Sequence, residues 1–149
     1  MQAQSGQYLT LRLGSEEYAI DIQRVQELRF YEEPTRMVNS PAFIRGVVNL
    51  RGVIVPIADL RIKLQIEKVE YTDFTVVIIL NIQGSVVGAV VDSVADVLTI
   101  EADAIKPAPQ FDSVMDARFI VGLVKEGERT LIVMDVDALM SNAELGMVV

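Results

Sequence analysis

The side chains whose types and spacing could do chemistry in this chain are acidic: Asp135 with Asp137, and Asp92 with Asp96. Paired carboxylates can share a proton or hold a hard divalent cation through their oxygens. Alternate strand positions put Asp135 and Asp137 on one side. Asp137, however, stands just before Ala138-Leu139-Met140 and reads better as the N-cap of a helical turn. Nothing in the composition backs these acids, because the chain has no His, no Cys and no Trp. Without imidazole, catalysis would have to run on carboxylates, Lys, Tyr, Ser or Thr. Without thiols there is no disulfide, no thiolate nucleophile and no Cys-ligated metal. The stretch from Gly46 to Gly52 has neither a Walker lysine nor GxGxxG spacing, so a phosphate cradle is unsupported. The expectation is a protein that is not an enzyme and has no cofactor and no metal.

The other feature with chemical meaning is an arginine on a turn. Pro41 to Arg61 reads PAFIRGVVNLRGVIVPIADLR. Two β-branched runs, Val47-Val48 and Val53 to Ile57, suit a pleated surface. They are joined at Asn49-Leu50-Arg51-Gly52, where Gly52 can take the positive φ that closes a hairpin. That turn holds Arg51 out on a rigid reversal, where it meets a partner or only water.

Composition narrows the partner. The net charge is −8, with the excess of acid in the second half: residues 1–66 hold eight Lys or Arg against seven Asp or Glu, residues 67–149 five against fourteen. Nucleic acid demands a basic face, and only Arg36, Arg45, Arg51 and Arg61 could contribute one. Oligonucleotide or oligosaccharide binding by an exposed sheet also wants aromatic platforms, and the chain has four Tyr and five Phe in all. A scattered arginine set on a protein interface fits better. MQAQSGQ lacks a basic segment followed by an apolar one, and Val76 to Leu80 is far short of the ~20 residues that span a bilayer. The expectation is a cytoplasmic protein with no direct membrane insertion.

The elements that position Arg51 follow from periodicity. Leu9, Leu11 and Leu13 alternate on one face of a strand that turns at Gly14-Ser15 into a second strand, Tyr18 to Ile20. Asp21 then predicts a capped short helix, with Ile22, Val25 and Leu28 at helical spacing. Thr35 to Val38 reads as a short strand and Pro41-Ala42-Phe43 as a turn. Asp59-Leu60-Arg61 reads as a capped helical turn, and Ile66 to Asp73 as a linker. Beyond the linker the pattern returns: Thr75 to Ile82 and Val86 to Val91 repeat the first hairpin, and Val94-Ala95-Asp96-Val97 repeats Val25-Gln26-Glu27-Leu28. Phe119-Ile120-Val121-Gly122-Leu123 repeats Phe43 to Val47, and Leu131-Ile132-Val133 repeats Val53-Ile54-Val55. The offset of roughly half the chain predicts an internal duplication: two small, mainly β barrels of five strands each, related by a pseudo-twofold, spanning about 8–66 and 74–142 of one domain over 1–149.

These residues carry a resemblance. The run AFIRGVVNLRGVIVPIADLR, with EYAIDIQRVQELR before it and TVVIILN, VVGAVVDSVADVL and IKPAP after it, closely resembles the CheW-like domain family, the coupling proteins of bacterial chemotaxis, over about residues 6–142. The resemblance implies an all-β fold of two SH3-like barrels enclosing a shared core. It implies a non-enzymatic adaptor that binds the chemoreceptor cytoplasmic tip and the regulatory domain of the histidine kinase CheA, with ring contacts to other CheW-like domains in membrane-associated arrays. It also implies site residues. Asn49 and Arg51 match the motif associated with coupling. Val25 and Glu27 match a segment associated with receptor contact, in a hydrophobic groove between barrels to which Val76, Gly88, Val94 and Val97 contribute. A concave apolar strip with a charged rim suits a helical receptor tip. The tail Gly146-Met147-Val148-Val149 departs from the pattern and is expected to fray.

Overall fold

The alternation seen in the first strand sets the architecture. In the computed structural model, which describes residues 3–108, 113 and 115–146, strand β1 (Gly6–Leu13) buries both of its faces. Leu9, Leu11 and Leu13 point into a core shared between two sheets, while Tyr8 points into a core belonging to its own sheet. Its partner β2 (Glu16–Asp21) does the same with Tyr18 and Ile20 on one side and Ala19 on the other. Strand β6 (Val76–Ile82) divides likewise: Val76, Ile78, Leu80 and Ile82 join the shared core, Val77 and Ile79 the second sheet's own. Burial of each such aliphatic side chain stabilises the fold by about 1.5–3 kcal/mol.

The remaining strands are β3 (Val25–Phe30), β4 (Ile44–Leu50), β5 (Val53–Asp59), β7 (Ser85–Val91), β8 (Ser93–Ile100), β9 (Ile120–Glu126) and β10 (Arg129–Met134), with one-turn helices α1 (Leu60–Lys63) and α2 (Val136–Leu139). They form two five-stranded SH3-like barrels, ordered β8-β1-β2-β10-β9 and β3-β6-β7-β5-β4. Adding five to each strand number, or subtracting it, turns one order into the other, so the pseudo-twofold is present in full. In both barrels two antiparallel hairpins are joined by one parallel pair, β2 with β10 and β7 with β5.

The barrels do not follow the division at 66–74. Each takes two strands from one half of the chain and three from the other, because the short link after β2 carries the chain into the neighbouring sheet. The chain passes between sheets at two places, residues 21–25 and 91–93. The hairpin repeat is also offset by two residues from the sequence reading. Val133 pairs with Ala19 as Ile57 pairs with Gly88, so Leu131-Ile132-Val133 matches Val55-Pro56-Ile57.

Two local expectations are corrected. Asp21 accepts from the Gln23 amide at 2.9 Å, but caps only a 3₁₀ turn, Ile22–Arg24. The next element is strand β3, not helix. A bulge between Val25 and Glu27 places Val25 opposite Leu80 and Leu28 opposite Ile78, both of the shared core's face. A bulged strand thus puts residues three apart on one side, which imitates helical spacing. Thr35 forms a single bridge to Val47 and no strand. Beside it, a Cβ on Gly46 would overlap the Thr35 carbonyl. Of the tail expected to fray, Gly146 donates its amide to the Ala143 carbonyl at 3.2 Å, next to the fully buried Leu145, and residues 147–149 lie outside the described residues.

Candidate functional site

The hairpin β4–β5 closes in two residues. Strand pairing runs to Leu50 opposite Val53, leaving Arg51 (φ 51°) and Gly52 (φ 88°) as the turn. Both sit in the left-handed region that matches the twist of the flanking strands. The Asn49 carboxamide locks the reversal by accepting from the Gly52 amide at 2.8 Å. A glycine takes such a φ freely; an arginine does so at a cost. At the twofold-related turn the first position is Gly127, with φ 62°. One barrel therefore uses glycine where the other places Arg51.

Arg51 reaches back across the sheet. Its Nη2 donates to Glu27 Oε2 at 3.2 Å, with the arginine side chain 66% exposed and the glutamate 28%. The second glutamate oxygen, Oε1, lies 3.6 Å from Arg29 Nη1 and has no hydrogen-bond partner among the described residues. Exposed Val53 and Ile54 flank the turn, and exposed Leu28 and Phe30 share β3 with Glu27. The result is a charged tie with apolar margins on the second barrel, a composition typical of protein interfaces.

The first barrel has its own version of the tie. Asp96 occupies in the β8 bulge the place that Glu27 occupies in β3. It is held by Arg129 at 3.1 and 3.2 Å and by the buried Thr10 hydroxyl, and Arg129 also donates to Glu17 at 2.9 Å. The Arg129 hydrogen bond, followed by that of Thr10, holds the Asp96 carboxyl below its usual range. This carboxylate is occupied internally.

The remaining sequence-predicted site residues divide by burial. Val25 and Val94 are half-buried at twofold-related positions and pack against the shared core. Val97, beside Leu9, is exposed at the rim. Val76 is buried within the shared core. Gly88 is a packing glycine of the second barrel's core: a Cβ there would stand 2.6 Å from Ile57 Cδ1 and 3.0 Å from Val77 Cγ1. Glu27, two residues beyond Val25 on β3, is tied to Arg51.

Each aspartate of the two acidic pairs has hydrogen-bond partners within the fold. Asp135, not Asp137, caps α2, its Oδ1 accepting from the Ala138 amide at 3.2 Å. The helix begins at Val136, earlier than the sequence reading places it, and Asp59 does the same for α1. Asp137 instead accepts from Arg24 Nε at 2.8 Å. Asp92 accepts from Arg61 and from the Gly14 amide. No group of three or more metal-competent side chains occurs among the described residues. Treatment with EDTA is expected to leave the melting temperature unchanged. A fall of several degrees would reveal a structural cation, because a ligand bound only by the folded state must stabilise it.

Sequence reasoning places Arg61 among the arginines that could face a partner, but the structure buries it fully. It donates to Asp59 Oδ1 and Oδ2 at 3.0 Å, to Asp92 Oδ1 at 2.9 Å and to the Glu70 carbonyl at 2.7 Å. Its guanidinium lies 4.9 Å from the centre of the Tyr71 ring, whose hydroxyl donates to Asp59 at 2.7 Å. Burial alone would lower the Arg61 pKa, but the hydrogen bonds to Asp59 and Asp92 outweigh it and raise it. The signal in sequence is Asp-Leu-Arg, which by itself reads only as a capped turn.

Comparison with known proteins bears on this arrangement. The profile of the CheW-like domain matches residues 7–144. The chemotaxis protein CheW of Klebsiella aerogenes is 50% identical over 142 residues, covering 95% of this chain and 86% of that protein. The chemotaxis protein CheW of Bacillus subtilis is 33% identical over 132 residues, covering 89% and 85%. Among solved structures, the scaffolding protein TtCheW from Thermoanaerobacter tengcongensis superposes with a TM-score of 0.83 at 29% identity, covering 94% of this chain and 90% of that one.

Proposed function

The chain belongs to the CheW-like domain family and is a chemotaxis scaffold protein, and on that premise we propose that it couples chemoreceptor cytoplasmic tips to the regulatory domain of the histidine kinase CheA without catalysing a reaction itself. In this reading the kinase domain docks on the second barrel at the Arg51–Glu27 tie, and the helical receptor tip lies against the rim formed by Val25, Val94 and Val97. Ring contacts with other CheW-like domains and recruitment to membrane-associated arrays follow from the same role. No helix among the described residues is long and apolar enough to cross a membrane, so recruitment would come through partners.

The observation that carries this reading is the contrast between the two hairpin tips. The first barrel closes its turn with Gly127, whereas the second holds out an arginine there, 66% exposed and paired with Glu27. An exposed arginine that packing does not require suits a partner surface. Pull-down of the kinase regulatory domain and of a receptor cytoplasmic fragment is expected to recover both, separately and together. Val25→Asp would bring an unpaired charge to an apolar rim, and is expected to weaken receptor binding by about 2 kcal/mol or more while sparing kinase binding. Isothermal titration of the folded variant, checked by its melting curve, measures this. An unchanged receptor affinity would remove Val25 from the site.

A further inference from the structure

The two passages of chain between the barrels are each fastened by an ion pair to one of the one-turn helices, and the pseudo-twofold relates the two fastenings with their charges reversed. At the passage from β7 to β8, Asp92 is held by Arg61 of α1. At the passage from β2 to β3, Arg24 is held by Asp137 of α2. Arg61 and Asp137 are equivalent positions, each two residues beyond a helix-capping aspartate, Asp59 and Asp135.

The two differ sharply in strength. Arg61 is 1% exposed and has further partners in Asp59 and the Glu70 carbonyl, while Asp92 is also fixed by the Gly14 amide. Removing one member of such a buried network strands the rest. Arg24 and Asp137 share one hydrogen bond, with side chains 34% and 20% exposed, and only the nearby charges of Asp21 and Asp135 add to the attraction. A half-exposed single pair is weak and screened by salt. Val25, the half-buried rim residue, follows Arg24 directly.

We infer that Arg24 and Asp137 form a latch that positions Val25 on the rim of the shared core, while Arg61–Asp92 is the fixed fastening on the other passage. Arg24 is a positioning residue: it acts on a receptor helix through Val25 and the backbone of 22–25. The receptor part of this inference rests on the coupling function proposed above. The latch itself does not.

The test is amide hydrogen exchange on the full chain, with receptor-fragment titration in parallel. Arg24→Ala and Asp137→Asn are expected to speed exchange over residues 22–27 by about two- to fivefold, the range of a half-exposed ion pair, leaving β6 and β7 unchanged. Receptor affinity should fall by a similar factor, and Arg24→Lys, which keeps the positive charge facing Asp137, Asp21 and Asp135, should retain most of both. Raised ionic strength should reproduce the local loosening in the unaltered protein. Unchanged exchange at 22–27 in both single variants, or exchange in Arg24→Lys as fast as in Arg24→Ala, would overturn the latch. Faster exchange with unaltered receptor affinity would overturn its positioning role. A receptor fragment that does not bind the unaltered protein would overturn the coupling reading instead, leaving the exchange comparison to decide the latch.

Discussion

Arg61→Ala is expected to lower the free energy of unfolding by about 3–5 kcal/mol, the usual consequence of removing one partner from a buried ion network. For a chain of this length that is a fall in melting temperature on the order of 10 °C. The geometry explains the size. Asp59, fully buried, would lose both of its side-chain bonds to Arg61 and keep only the Tyr71 hydroxyl and the backbone amide of residue 61. The Glu70 carbonyl would lose its donor, leaving the linker held there by Tyr71. The net favourable effect of these bonds on Arg61 appears in its raised pKa despite burial. Thermal melts check the prediction. Arg61→Lys should recover only part of the loss, because an ammonium cannot fork across Asp59 while also reaching Asp92 and Glu70. A melting temperature within about 2 °C of the unaltered protein's, the shift that 0.5–1 kcal/mol produces in a chain of this size, would mean that water replaces the network at little cost.

Arg51→Glu is expected to do the opposite, leaving the fold nearly intact while weakening binding to the kinase regulatory domain by about tenfold or more, as for an interface arginine. The exposed pair with Glu27 is worth at most about 1 kcal/mol. The strained φ of 51° is borne by either residue, so it does not distinguish them. Gly52→Val provides the contrast. A Cβ at Gly52 would meet nothing within 4 Å, so its cost is backbone strain alone, about 1–3 kcal/mol for a β-branched residue at φ 88°. Circular-dichroism melts and kinase-domain titrations separate the cases. If Arg51→Glu melts as early as Gly52→Val, the arginine is structural.

The sequence made part of this legible, and the physics separates that part from the rest. Alternation at Leu9, Leu11 and Leu13 and the repeat of the hairpin at residues 75–91 are enough to expect strands and a duplication, since both are local patterns. Which half supplies which strand is not readable in this way, because strand pairing between β1 and β8 joins residues far apart in the chain, and each half alone reads as five strands of one barrel. The bulge at Val25–Glu27 misleads for a definite reason: it converts period two into an apparent period of three to four. In the site, Arg51 is readable because a charge on a glycine-closed turn has no use in a core. Its partner Glu27 is readable as a charge that core packing does not need, but the bond between them is not, since they lie 24 residues apart. Val76 and Gly88 look like surface contributors because valine and glycine on a strand say nothing about which face is covered, and both sit inside.

The most direct test of the coupling account is a paired titration. Val25→Asp and Arg51→Glu, each confirmed folded by its melting curve, are titrated calorimetrically against a receptor cytoplasmic fragment and against the kinase regulatory domain. The account predicts crossed losses: Val25→Asp loses the receptor and keeps the kinase, Arg51→Glu loses the kinase and keeps the receptor. Equal losses toward both partners in either folded variant would mean one shared surface and would contradict it.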